Sequence, residues 1–179
     1  MTAPVGARRD PVLAQNFAVS LLDSTSALSP AAPPALAGIL DAAAGGFAEC
    51  AGLELTMQPE EYKEGGNNGG VLKFVGRATW ANVTLKRGVA RGSELWDWHF
   101  GFLEGRGRRR DGVIVLLDAS RAPVQAWYFR RGLPVKYSGP SLNASQNAVA
   151  IESIEIAHEG IHQVPGIAGA APGAGGAGR

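Results

Sequence analysis

The chain has 179 residues, 45% of them hydrophobic, a formal net charge of +1 and a single cysteine, Cys50. It is long enough for one domain with a sizeable core and short for two. The balanced charge gives no general pull towards nucleic acid or anionic membrane, and one cysteine excludes an internal disulfide framework.

No window reaches the roughly 18 consecutive apolar residues of a membrane span. Residues 1–10 lack the apolar core of a signal peptide, so a soluble cytoplasmic product, without membrane insertion, is the default. Residues 1–14, with Pro4, Pro11 and Arg8-Arg9, read as a flexible arm. Phe17 to Leu22 is β-prone and bounded by Asp23-Ser24, a first strand. Residues 24–46 turn to Ala, Pro, Ser and Gly, which reads as an insertion between two strands. Within it Ala35–Ala44 has room for about three helical turns after Pro30, Pro33 and Pro34.

Phe47–Leu55 reads as the second strand. An extended polar loop over 58–74 follows, dense in the Gly and Asn that tolerate positive φ. Ala78–Leu85 alternates in the period-two manner of a half-buried strand. Ser93 is placed to cap a helix over about 94–104, with Leu95, Trp98 and Phe102 on the packing face and Gly105 closing it. Val113–Leu117 is a continuous apolar strand, and Val124–Arg130 returns from it. Val135–Tyr137 resumes after a break at Pro134, and Ala148–Ala157 is a last long strand. Residues 165–179 are Gly, Ala and Pro, too poor in apolar surface to offset ordering entropy. Seven or eight strands with one helix indicate a mainly β fold, a barrel or sandwich with a packed helix.

His158-Glu159-Gly160-Ile161-His162 matches the H-E-x-x-H pattern of zinc hydrolases. Strand patterning precedes it, Gly160 sits inside the turn, and no third ligand follows, so the residues favour a polar strand end. The glycine-rich loop lacks the Gly-Lys-Ser/Thr ending of a phosphate cradle. Arg106, Arg108, Arg109 and Arg110 form a basic run without interleaved aromatics. It reads as a solvated or inter-subunit face and not as a specific nucleic-acid site. His99 reads as a packed histidine, and Cys50 as a small core residue. No cofactor and no enzymatic activity are expected.

Several separated stretches, in order, carry a resemblance. They are Glu61–Asn68, Asn82–Val89, Leu95–His99, Arg109–Gly112, Phe129–Gly132, Lys136-Tyr137 with Gly139-Pro140, and Ala150–Gly160. Over residues 15–164 the chain resembles the tail-tube proteins of contractile phage tails and extracellular contractile injection systems. The likeness implies a fold like the haemolysin-coregulated protein of type VI secretion. It also implies homohexameric rings stacked into a tube within a sheath, and a place in a phage tail or a released phage-tail-like particle. Glu60, Glu61, Lys63, Glu64, Asn67, Asn68, Lys86 and Arg87 are then the expected inter-subunit or inter-ring contacts. The insertion 24–46 and the tail depart from the main tube subunit. They suggest the tube initiator, which joins the spike hub and baseplate to the first regular ring; an ordinary tube subunit is the alternative.

Overall fold

The computed structural model describes residues 13–24, 46–66, 69–89 and 92–165. The expected arm over 1–12, most of the insertion with its helical turns (25–45), Asn67, Asn68 and the tail from 166 lie outside the described residues.

The strands are β1 (Phe17–Asp23), β2 (Glu49–Ala51), β3 (Leu55–Met57), β4 (Glu60–Tyr62), β5 (Leu72–Phe74), β6 (Ala78–Trp80), β7 (Val83–Gly88), β8 (Arg110–Leu117), β9 (Pro123–Ser138), β10 (Ile151–Ala157) and β11 (Ile161–Gln163). One helix, α1 (Glu94–Leu103), stands between β7 and β8. The main sheet runs β1-β8-β9-β10-β7-β2, with β11 also on β9. All its pairings are antiparallel.

Strand β9 belongs to both layers. Its first part pairs with β8 and β11, and its last part with β10. The change comes at Gly132, where a Cβ would lie 2.7 Å from the Arg110 carbonyl oxygen and 2.9 Å from Ile156. Gly132 is therefore required for the close approach. Pro134 does not break the strand. It sits opposite Ile156 at a register shift, the kind of irregularity where a sheet admits proline.

The layers do not close into a barrel; the arrangement is a sandwich, open between the terminal strands β1 and β2. A cleft of about 340 Å³ lies there, lined by Phe17, Cys50, Leu53, Ile114 and Trp127 among others. Burial raises the Cys50 thiol pKa to about 11.

Alternation on β7 and β10 turns Val83, Leu85, Ile154 and Ile156 inward against Phe129, Leu95 and Trp98. Strand β8 is buried on both faces, which accounts for its unbroken apolar run. Ile114 joins the inner core, while Val113 and Val115 pack with Ala126 and Val164. On α1, Leu95 and Trp98 are buried and Phe102 is half-buried against the same core. The indole N–H of Trp98 donates to the Arg108 carbonyl at 2.8 Å.

Ser93 does not cap the helix as expected. Its hydroxyl donates to the Asp97 carboxylate at 2.6 Å, and no side-chain bond reaches a backbone N–H.

Candidate functional site

Two expected strands are each divided in two, and the division builds an arm. Phe47–Leu55 breaks at Gly52, which has φ +91° and touches the backbone of Asn82 so closely that a Cβ would clash. Ala78–Leu85 breaks at Ala81-Asn82 opposite it. Beyond these breaks, among the described residues, β3 pairs only with β6 and β4 only with β5, so 53–66 and 69–81 form a two-stranded ribbon off the main sheet. The register passes from Met57↔Ala78 to Glu60↔Phe74, with one more residue on the returning strand. That is a β-bulge, and Gly76, too close to the Gln58 carbonyl for any Cβ, permits it.

The arm has no core of its own. Leu55, Met57, Tyr62, Leu72, Phe74 and Val75 are all exposed, Val75 by 81%. Leu55 and Trp80 stand opposite each other, as do Tyr62 and Leu72, so apolar side chains share ribbon faces. Tyr62 and Phe74 meet edge to face at 6.3 Å. An exposed apolar surface of this kind marks an interaction site.

The arm's root is anchored by His158. Its Nδ1 accepts the Gly160 N–H at 3.1 Å, which makes Nε2 the protonated nitrogen, donating to the Ala81 carbonyl at 3.0 Å. Desolvation lowers the His158 pKa. Trp80 packs against both His158 and His162, and His162 stacks on Tyr128 at 5.2 Å. The H-E-x-x-H residues thus lie on a strand–turn–strand, with Gly160 at φ +133° and the His158 nitrogens already engaged. No helix presents the two imidazoles together. Among the described residues no cluster of three metal-ligating side chains occurs, and no helix is long and apolar enough to cross a membrane.

The expected contact residues divide by position. Glu60, Glu61, Lys63 and Glu64 are exposed on the arm, with Glu61 opposite Lys73. Lys86 pairs with Glu49 at 2.8 Å across β7 and β2. Arg87 does not offer a surface contact. It is buried on the core face with Val83 and Leu85, bonded to Glu152 at 2.6 Å. Tyr137 donates to the second Glu152 oxygen at 2.8 Å. His99 is half-buried, with Nδ1 3.1 Å from the Pro134 carbonyl.

The basic run is tied down unevenly. Arg110 lies 5.1 Å over the Trp98 ring and 3.6 Å from Asp23, and Arg106 pairs with Glu104. Arg109 donates to the Arg131 carbonyl at 2.9 Å. The roles of Trp80, His158 and the apolar arm residues were not anticipated. The period-two spacing of Leu53, Leu55 and Met57 was the signal available for the arm.

The sequence family described as T4-like virus tail tube protein gp19 matches residues 14–162. Among solved structures, the chain is similar to one in the anti-feeding prophage baseplate, at TM-score 0.71 and 23% identity over 88% of this chain and 97% of that one. A chain of the PVC extracellular contractile injection system, in its extended sheath–tube complex, matches at TM-score 0.68 and 21% identity, covering 92% and 99%. A chain of the anti-feeding prophage tube-terminating cap matches at TM-score 0.71 and 20% identity, covering 90% and 99%. At such identities the likeness is one of fold. No curated protein matches the chain.

Proposed function

Because the chain belongs to the T4-like virus tail tube protein family, we propose that it is a structural subunit of the inner tube of a contractile injection system or contractile phage tail. Six copies form a ring, and rings stack inside a sheath. The observation that carries this reading is the arm. Residues 53–66 and 69–81 leave the body as a ribbon whose Leu55, Met57, Leu72 and Phe74 are exposed. Such a ribbon gains stability by packing on a neighbouring copy. The terminal strands β1 and β2 support the same reading, since their outer edges pair with no other strand among the described residues and are available for pairing between subunits.

Within that role we place the chain at the baseplate end, as the ring that initiates the tube on the spike hub. The support is the long connection between β1 and β2, from Asp23 to Glu49. The tail-tube resemblance implies a short loop there in an ordinary tube subunit. The protein assembles in the cytoplasm and then forms part of the particle.

Native mass spectrometry with negative-stain imaging of the purified chain tests the tube role. Hexamers, open-centred rings or short stacks are expected; a monomer that no other tube component draws into a ring would overturn it. Labelling the chain in assembled particles tests its place: signal at one end supports the initiator, and signal along the whole tube removes it.

A further inference from the structure

Beside the arm's root lies a cleft of about 340 Å³ lined by Asp23, Ser24, Arg108, Arg109 and Arg131. Its one carboxylate, Asp23, already faces Arg110 at 3.6 Å. Arg109 and Arg131 share a single acid, Glu159, at 3.7 and 2.9 Å. Arg108 is exposed, and its guanidinium has no bonding partner among the described residues. With Glu159 shared between two guanidiniums and Arg108 unpaired, the cleft keeps an excess of positive charge among the described residues.

Arg131 is moreover held at φ +52°, with its N–H on the Asp111 carboxylate at 2.7 Å. An arginine in the left-handed region is a strained choice where Gly or Asn is cheaper, and such strain concentrates at functional positions.

The arm carries the complementary charge. Three carboxylates, Glu60, Glu61 and Glu64, crowd its outgoing strand against Lys63 and Lys73. Lys73 stands opposite Glu61, while Glu60 and Glu64 have no ion pair among the described residues.

The arm's own cleft is out of reach. Arg131 holds Glu159, next to the His158 that bonds the arm's root, so the cleft lies near the root. The carboxylates stand seven to eleven residues out along the ribbon from Leu53, about 20–35 Å at the rise of a β-strand.

We propose that the cleft of Arg108, Arg109 and Arg131 receives the carboxylates of Glu60 and Glu64 from the arm of a second copy. Forked guanidiniums suit this, because they take carboxylates in paired, charge-assisted bonds. A tip-to-root contact uses different patches on the two partners, so it propagates and closes into a ring when the rotation permits. The pairing rests on the tube reading and names the receiving surface for the arm.

Charge exchange tests it. R108E/R109E and E60K/E64K should each lower the assembled fraction at least tenfold at equal concentration. The four substitutions combined should return it to within threefold of the unaltered chain. If either pair assembles like the unaltered chain, or if the combination assembles no better than its parts while remaining folded, the pairing is overturned and the tube role stands. An unaltered chain that forms no ring with any tube component removes both.

Should R109E disturb folding, the chain carrying R108C and E64C supplies an independent readout. Mild oxidation should give a ladder of disulfide-linked copies, and exclusively monomeric product overturns the contact. Cys50 will interfere little, because its burial-raised pKa of about 11 keeps the thiol protonated.

Discussion

Arg87 and Glu152 face each other across β7 and β10 with Nε and Oε1 2.6 Å apart and each side chain 6% exposed. Tyr137 holds the second carboxylate oxygen, the Phe47 ring lies 5.9 Å from the guanidinium, and Glu94 at the start of α1 stands 3.9 Å away. This ion pair joins the sheet to the helix from inside the core.

Breaking it from one side strands a buried charge. Arg87→Met or Glu152→Gln should each cost about 3–5 kcal/mol of unfolding free energy. Replacing both, as Arg87→Met with Glu152→Gln, should cost less than the two single changes together. Chemical denaturation of the four chains closes this double-mutant cycle.

The root histidine sets a pH dependence. Desolvation depresses the His158 pKa, so the unfolded chain binds a proton there more readily than the folded one. Its contribution is complete above about pH 6.5, the ordinary histidine value. It is lost as pH falls from that value to the lowered folded one. The denaturation midpoint should therefore fall between pH 7 and 5 by more in the unaltered chain than in His158→Gln.

The arm separates assembly from stability. Leu72→Ser with Phe74→Ser alters side chains that are 45% and 55% exposed on a ribbon outside the core. Stability should change by about 0.5 kcal/mol or less, while ring formation drops sharply. Equal denaturation curves beside unequal native mass spectra are the expected pattern.

Two glycines should behave in opposite ways. Gly112 lies against the Phe129 ring in the core, where a methyl group has no room. Gly112→Ala should cost about 1–3 kcal/mol or more through overpacking. Gly76→Ala displaces the arm at its bulge and should spare the core's melting temperature while reducing assembly.

Much of the fold was legible because its alternation is regular. The helix face of Leu95, Trp98 and Phe102 follows from its periodicity, and β1 and β8 from short β-prone or apolar runs bounded by turn residues. Arg87 shares the parity of Val83 and Leu85, which points it inward, yet its charge argued for the surface. Periodicity shows a side chain's direction; it does not show the distant Glu152 that makes burial tolerable. The breaks at Gly52 and Asn82 were hidden for a related reason. Each strand reads as continuous by itself, and only the close approach of the two backbones forces them apart. β11 follows a turn enabled by Gly160 at positive φ, and three residues are too short for a periodic signal.

Strand β9 runs for 16 residues, about 50 Å of backbone, through one layer and into the other. A force that slides the layers past each other therefore acts on covalent bonds at Gly132 as well as on side-chain packing. A sandwich joined only by packing yields by shear; this one has a continuous tie that resists it. Resistance to shear is thus a property of how the chain is routed, present in each single copy.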